Sequence, residues 1–381
     1  KATGWAALIA VAVAAVLDAG PTRKPHWISL AYLALALLAP VYVLTTEDNL
    51  FALAIRAQWL MLVLAAIAVT RRIHDADSLW RVIRALQIGF AIALLIPLAD
   101  LVASGAGALR AGLGRFEPFD ANSNQIGILF AQGFVFNLYA ALRDRTMLLR
   151  PVWAGFAAAA LGMALLTGSR STFAACIFPA IPIGLAMLRR PAFILAALPV
   201  MALMALFVLR QVDDYSFSRL NSLQTERVSQ AADYINLSIA ERPVAGLLGT
   251  NGMNSEVDQA VGTHSHNAYL GAAYIGGLSY LIPLLALAAA SLLAAFYVWR
   301  NRRLFDADPT LISTLCFLMV MVYAHGFVNT AIYYPTYVWA FLHVTLSILL
   351  TTMAVEVVRA RRAGLVPAKA PGRAMATPAM A

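Results

Sequence analysis

The stretch Thr263-His264-Ser265-His266-Asn267-Ala268-Tyr269-Leu270 marks the point at which a long polar segment gives way to an apolar run. The polar segment begins at Asp213, and the apolar run continues through Gly276-Gly277. Almost everywhere else the chain consists of apolar runs separated by short loops. Functional residues concentrate in loops held by a rigid scaffold, so this boundary is the first place to look for a site.

The composition is typical of a membrane protein. Of the 381 residues, 61% are hydrophobic and 12% are charged, whereas soluble domains carry roughly 25% charged residues. The apolar runs have the length of about 17–25 residues that spans a bilayer core. The net charge of +9 does not indicate nucleic acid, because the basic residues recur in the loops between apolar runs. The sequence therefore predicts an all-α polytopic membrane protein.

We predict eleven membrane-spanning helices in this sequence. The predicted spans are 5–19, 27–44, 50–70, 85–103, 123–142, 152–167, 172–188, 191–209, 267–299, 309–328 and 336–356. The apolar run 267–299 is long enough to be either one tilted helix or a broken one.

The loops between the spans alternate in charge. One side holds most of the 28 lysine and arginine residues, and the positive-inside rule assigns that side to the cytoplasm. The other side, the periplasm in a Gram-negative cell, carries the loop 104–122, the turn 168–171 and the long segment 211–266. Eleven spans would then place Lys1 outside, so we expect one further helix before Lys1, giving twelve.

Four regions follow from this topology. The chain divides into N-terminal transmembrane helices (1–210), a large periplasmic loop (211–266), C-terminal transmembrane helices (267–358) and a disordered cytoplasmic tail (359–381). Within the loop, the apolar spacing over 225–240 predicts an amphipathic helix that lies on the membrane or on the helix bundle.

Arginines on the outward side contradict the positive-inside rule and therefore need another explanation. Arg170 lies in Thr167-Gly168-Ser169-Arg170-Ser171-Thr172, a turn between two apolar runs. A guanidinium held among hydroxyls and backbone N–H groups suits a phosphate. The alternative is an arginine that extends to the lipid headgroups.

Further outward arginines have similar alternatives. Arg227 opens the predicted amphipathic helix, where it binds an anion or pairs with a neighbouring carboxylate. Arg242 precedes Pro243 and a glycine-rich stretch, which is an anion-binding loop or only a turn. Arg56 lies inside a predicted span, where a charged residue is a candidate for function. The alternative is that its side chain extends to the outer membrane interface. Arg115 and Asn124 belong to a second polar patch at the mouth of span 123–142.

Two histidines end the polar segment. His264 and His266 are two residues apart, but no further histidine, cysteine or carboxylate nearby in the sequence completes a metal site. A neutral histidine at the mouth of a membrane cavity suits general-base catalysis, because its pKa lies near the working pH. The alternative is plain interfacial polarity. His325, near the outer end of another span, is a candidate for the same cavity.

Two DxD motifs have a simpler interpretation. Asp75-Ala76-Asp77 and Asp306-Ala307-Asp308 resemble metal-binding motifs of sugar-nucleotide enzymes, but both lie on the predicted cytoplasmic side, beside arginines. Charge balance at helix boundaries accounts for them.

Taken in order, the outward motifs resemble those of the O-antigen ligase and polymerase superfamily, and within it the lipopolysaccharide O-antigen ligases. The resemblance covers about residues 115–345 and is most specific over 165–280. Its motifs are, in chain order, the Gly168-Ser169-Arg170 turn, Glu226-Arg227, Glu241-Arg242-Pro243-Val244-x-Gly246 and His266-Asn267-x-x-Leu270. The chain departs from the superfamily at Ser123-Asn124, where a Pro-Asn pair is usual.

The resemblance implies a fold similar to membrane glycosyltransferases of the C type and a multi-pass protein of the bacterial inner membrane. The implied donor is a glycan linked to undecaprenyl pyrophosphate, and the implied acceptor is the lipid A–core oligosaccharide at the periplasmic face. No metal, cofactor or nucleotide sugar is implied. Arg170 and Arg227 would bind the pyrophosphate, and His266 would be the catalytic base. The remaining candidates for substrate binding are Arg242, Asn267, His264, Arg115, Asn124, His325 and Arg56.

Three other functions stay open at this point. An O-antigen polymerase uses the same donor with a second lipid-linked glycan as acceptor, and it commonly shows two large loops. A protein O-oligosaccharyltransferase belongs to the same group. A transporter for lipid-linked sugars would predict inverted repeats and broken spans near the membrane centre, and neither pattern is visible in the sequence.

Overall fold

The computed structural model describes residues 22–43, 49–104, 115–118, 123–188, 267–328 and 338–364, and the isolated positions 10, 11, 13, 14, 17, 235, 243 and 244. Helices make up 86% of the structure, and the described residues contain no strand. The all-α prediction is therefore confirmed. The predicted spans 5–19 and 191–209 and the predicted amphipathic helix 225–240 lie outside the described residues, apart from the isolated positions.

Nine α-helices lie within the described ranges. In chain order they are α1 (Trp27–Val43), α2 (Asn49–Arg71), α3 (Ala76–Ser104), α4 (Ser123–Arg143), α5 (Arg150–Leu166), α6 (Arg170–Met187), α7 (Ala268–Arg300), α8 (Pro309–Gly326) and α9 (Val338–Arg362). The last helix continues past the predicted boundary at 358. Single 3-10 turns, Met147–Leu149 and Arg302–Leu304, follow α4 and α7.

Seven of these helices, α3 to α9, are long and apolar enough to cross a membrane. Two shorter apolar helical stretches, Trp27–Leu38 and Ala57–Arg71, belong to α1 and α2. A polytopic helical membrane protein is thus confirmed. The count of eleven or twelve spans stays a prediction, because seven qualifying helices support only the coarser statement.

The helices alternate in direction, so their ends form two surfaces. We call the ends that carry Arg23, Arg71, Arg143, Arg302 and Arg361 the basic end. Ion pairs join these helix ends: Arg23 Nη1 lies 2.6 Å from Glu356 Oε1, and Arg143 Nε lies 2.9 Å from Asp308 Oδ2. The helix ends and short segments that carry Arg115, Asn124, Arg170, Asn267 and His325 form the opposite end. The described helix ends thus lie at two alternate ends of the bundle, and the assignment of these ends to cytoplasm and periplasm stays a prediction.

Helix α7 is broken near its start. Gly277 has φ 61° and ψ −161°, a conformation that L-residues with a side chain rarely adopt, and it separates a short first segment from a membrane-length second segment. The break frees backbone N–H groups. Leu278 N donates to Pro243 O at 2.8 Å, and Ser279 N donates to Val244 O at 3.2 Å. The long apolar run is therefore a broken helix, and the break binds part of the polar segment.

Helices α4 and α6 approach closely at Gly127. A Cβ atom added to Gly127 would lie 2.1 Å from Thr172 Oγ1 and 3.0 Å from Thr172 Cβ. Thr172 is fully buried, so its side chain has no open space in which to turn away. Close approach at small residues is a common way for membrane helices to pack.

We expect Gly127→Ala to destabilise the protein by about 1–3 kcal/mol, because the added methyl group forces the two helices apart. The thermal unfolding midpoint of the purified protein measures this. Gly155→Ala on α5 is the matched control, since nothing lies within 4 Å of its added Cβ. Adding Thr172→Ala to Gly127→Ala should recover part of the loss, and equal destabilisation by both glycine substitutions would contradict the close contact.

Candidate functional site

The turn Thr167–Ser171 presents Arg170 at the opposite end of the bundle. Gly168 takes φ 59°, which lets the chain reverse direction between α5 and α6. Ser169 caps α6, with its side chain accepting from Thr172 N, and Arg170 is the exposed first residue of the helix. A helix N-terminus carries partial positive charge and unpaired N–H groups. With a guanidinium added, this turn has the chemistry of an anion-binding site.

Arg115 holds this turn in place through hydrogen bonds. The side chain is only 8% exposed, its Nε donates to Thr167 O at 2.8 Å, and its Nη2 donates to Asn124 Oδ1 at 3.0 Å. Phe116 N also donates to Leu166 O at 2.9 Å. The structure therefore brings three predicted residues together: Arg115, Asn124 and Arg170. Arg115 positions the turn, and its predicted contact with substrate stays a prediction.

Ser123, where the sequence departs from the Pro-Asn pattern, has a local structural role. Its hydroxyl donates to Glu117 Oε1 at 3.0 Å, which ties the start of α4 to the segment that carries Arg115. A proline could not make this bond, since it has no hydroxyl. The next residue, Asn124, accepts the hydrogen bond from Arg115.

Asn267 marks the start of α7, as predicted. Its Oδ1 accepts from Tyr269 N at 2.9 Å and from Leu270 N at 3.0 Å, which is the usual geometry of a helix N-cap. Tyr269 then anchors the first turn on α8: its hydroxyl donates to Tyr323 O at 2.9 Å, and its ring centroid lies 4.6 Å from that of Phe327. The junction of loop and helix is therefore held at a defined place.

His325 lies near this anchor, inside the protein. It is completely buried in the last turn of α8, and its ring meets the ring of Trp339 edge-on at 5.6 Å. Tyr323, which accepts the bond from Tyr269, is two residues away. His325 is thus enclosed inside the bundle beside Trp339, and its predicted role in substrate binding stays a prediction.

The structure does not describe the side chains of the other predicted site residues. Arg227, Arg242, His264 and His266 lie outside the described residues, and Arg56 lies on the described backbone of α2. Pro243, the neighbour of Arg242, is bound at the break in α7.

A buried polar cluster joins α1, α8 and α9 inside the bundle and had no counterpart in the sequence predictions. Tyr32 donates from its hydroxyl to Ser347 Oγ at 3.0 Å, and the same oxygen lies 3.3 Å from His343 Nε2 and 3.4 Å from the Tyr323 hydroxyl. All four side chains are at most 3% exposed. Their residues lie in three separate apolar runs, so no local pattern connects them.

The DxD motifs cap helices at the basic end. Asp75 Oδ1 accepts from Ser78 N at 2.7 Å at the start of α3, and Asp308 Oδ1 accepts from Thr310 N at 2.9 Å at the start of α8. Among the described residues, no group of three or more histidine, cysteine, aspartate or glutamate side chains is arranged to hold a metal ion. The geometry agrees with the interpretation of these motifs as helix boundaries.

Comparison with known protein families and with curated proteins finds no match to this chain. Function is therefore argued from the residues and their geometry.

Proposed function

We propose that this chain is a membrane glycosyltransferase that moves a glycan from a lipid pyrophosphate, the O-antigen on undecaprenyl pyrophosphate, to lipid A–core. The observation that carries the proposal is the turn at the start of α6. Arg170 is exposed there at a helix N-terminus, and a buried arginine, Arg115, holds the turn in place through Thr167 and Asn124. A preorganised cationic group of this kind stabilises charge that develops on a leaving phosphate.

In the proposed reaction, an acceptor hydroxyl attacks the anomeric carbon of the first sugar. The bond between that carbon and the pyrophosphate oxygen breaks, and the pyrophosphate leaves with the electron pair. His266 takes the proton of the hydroxyl, and Arg170 with Arg227 stabilises the negative charge on the leaving group. A single displacement inverts the anomeric configuration. Two arginines supply the charge stabilisation that a divalent cation supplies in other enzymes, so the reaction needs no metal.

The proposed architecture has eleven spans in this chain and a C-type glycosyltransferase arrangement. The opposite end faces the periplasm of the inner membrane. Segment 211–266 serves as a lid over a cavity that is open to lipid, with Arg227 on its amphipathic helix. The hydrogen bonds of Pro243 and Val244 to the break in α7 support a lid that docks on the helices. Asn267, the first residue of the junction with α7, then lies near the mouth of the cavity, and Arg242 and His264 remain candidates for substrate binding.

Reconstitution tests this function directly. The purified protein is placed in vesicles with undecaprenyl-pyrophosphate glycan and lipid A–core, in the presence of EDTA. A glycan on the core supports the proposal, and a longer lipid-linked glycan identifies a polymerase. Transfer to a protein acceptor identifies an oligosaccharyltransferase. Movement of the intact donor across the membrane without transfer, or a strict need for Mg²⁺, would contradict the proposal.

We expect Arg170→Lys to slow transfer roughly 10- to 100-fold, because an ammonium cannot make the paired hydrogen bonds that a guanidinium makes to phosphate. Initial rates of transfer in the reconstituted system measure this. Arg145→Lys is the matched control: its side chain is 79% exposed at the basic end and should retain wild-type rates. Wild-type turnover by Arg170→Lys would remove the pyrophosphate role of this residue.

A further inference from the structure

A cavity of about 340 Å³ opens at the basic end, far from the turn that carries Arg170. It lies between α6, α8 and the segment that follows α7. Its polar side includes three arginines, Arg143, Arg302 and Arg303, and its apolar side includes Ile181, Leu185 and Phe317. The cavity thus combines clustered positive charge with a hydrocarbon wall.

The positive charge of this cavity is only partly neutralised. Among the described lining residues Asp308 is the one carboxylate, and its Oδ2 lies 2.9 Å from Arg143 Nε. The pair of Arg143 and Asp308 is neutral, so the positive charges of Arg302 and Arg303 give the lining its net charge. Arg302 is held in place, since its Nη1 donates to Trp299 O at 2.9 Å and its guanidinium lies 5.3 Å from the centre of the Trp299 ring. The charge is therefore positioned before any ligand arrives.

The apolar wall continues along α6 as an exposed stripe. Phe173, Ile177, Ile181 and Leu185 follow one another at intervals of four residues and are 43%, 44%, 40% and 60% exposed. Residues four apart lie on one face of a helix, so the stripe is about 18 Å long. Half of a bilayer core is about 15 Å thick. The part of the stripe from Ile177 to Leu185 is about 12 Å long and therefore fits within one leaflet, and it ends at the arginines.

This geometry points to a binding site for an anionic phospholipid at the basic end, with the headgroup phosphate on Arg302 and Arg303 and an acyl chain along Ile177, Ile181 and Leu185. Basic pockets between membrane helices bind anionic headgroups in this way. A zwitterionic lipid suits the site less well, because its cationic headgroup would meet the arginines. The site is separate from the proposed glycosyl transfer and would act on the stability of the bundle.

Lipid binding to the purified protein tests this site without any activity measurement. Nanodiscs of phosphatidylcholine alone are compared with nanodiscs that also contain phosphatidylglycerol, and the thermal unfolding midpoint is measured. Phosphatidylglycerol should raise the midpoint of the wild type. For the double variant Arg302→Gln/Arg303→Gln the rise should disappear, with phosphatidylglycerol binding about 30-fold weaker. The control Arg300→Gln/Arg362→Gln removes the same charge from exposed positions that do not line the cavity, and it should keep the rise.

Native mass spectrometry of the wild-type protein gives a second test that does not depend on the variants folding. After exposure to an equal mixture of the two lipids, the protein should retain phosphatidylglycerol preferentially. Inorganic phosphate alone should give no stabilisation, since it cannot use the apolar stripe. Equal retention of both lipids, an equal loss in the two double variants, or full stabilisation by phosphate would each overturn the proposal.

Discussion

Replacing His266 by alanine is expected to lower the rate of glycan transfer by about 10²–10⁴-fold, the usual contribution of a general base. In the proposed reaction the acceptor hydroxyl is a weak nucleophile until a base takes its proton. Folding should be unaffected, because the histidine belongs to the polar segment and is not needed for the cap that Asn267 forms on α7. Transfer from lipid-linked donor to lipid A–core in vesicles measures the effect.

A pH profile separates a base from a merely structural histidine. The wild-type rate should fall as the pH is lowered and the histidine takes up a proton, because the protonated ring cannot accept another proton. The residual rate of His266→Ala should lack this fall. His74→Ala, at the basic end, serves as a control and should behave as the wild type. Normal attachment of glycan by His266→Ala would refute the assignment of the base.

Replacing Asp144 by asparagine is expected to destabilise the protein by about 3 kcal/mol. Asp144 Oδ2 accepts from Arg84 Nη1 at 2.5 Å and from Trp153 Nε1 at 2.6 Å, and Oδ1 accepts from Thr146 N at 2.8 Å. Its side chain is 5% exposed, and the Arg84 guanidinium lies 4.6 Å from the centre of the Trp153 ring. The substitution leaves Arg84 without its anion and breaks the joint between α3, α4 and α5.

The thermal unfolding midpoint measures this loss, and Asp77→Asn is its control. Asp77 also pairs with an arginine at the basic end, Arg145, but at 3.3 Å with both side chains at least 78% exposed. Exposed pairs of this kind contribute about 0–1 kcal/mol, so the control should unfold close to the wild type. Similar midpoints for Asp144→Asn and Asp77→Asn would contradict the structural role of Asp144.

The effect of Asp144 should also depend on pH. Burial alone raises the pKa of this carboxyl group, but the hydrogen bonds from Thr146, Trp153 and Arg84, together with the Arg84 charge, outweigh it, so the pKa lies below the ordinary value of 3.8. A carboxyl group whose pKa is lower in the folded state stabilises the protein above its unfolded pKa, about 3.9. This stabilisation is lost as the pH falls through the folded pKa. The difference between the wild type and Asp144→Asn should therefore shrink in acid.

Local patterns predicted much of the architecture. The apolar runs predicted helices whose described bounds differ from the predicted ones by a few residues in most cases, as at 123–142 against Ser123–Arg143. The predicted and observed starts of α4 agree because Ser123 and Asn124 are polar residues directly before an apolar run. The start of α3 was predicted poorly, at 85 instead of Ala76, because Arg81 and Arg84 interrupt the apolar pattern. The structure accommodates Arg84 by pairing it with Asp144.

The candidate site was predicted less completely. Arg115, Asn124 and Arg170 were each singled out by sequence, but Arg115 is joined to the turn that carries Arg170 through the Thr167 carbonyl, 52 residues away in the chain. Every residue has a backbone carbonyl, so the identity of the accepting residue does not predict this hydrogen bond. The same limit applies to Tyr32 and Ser347, which are 315 residues apart and form a bond that no period or motif encodes.

The sequence by itself determined that this is a helical membrane protein with one arginine-rich end, because hydrophobic length and loop charge are local properties set by the bilayer. It also placed the junction of polar loop and helix at Asn267, where an N-cap residue precedes an apolar run. Only the tertiary structure decided that α7 breaks at Gly277 and receives Pro243 there. It alone also placed Arg115 beneath the turn of Arg170, because such contacts depend on how separate helices pack.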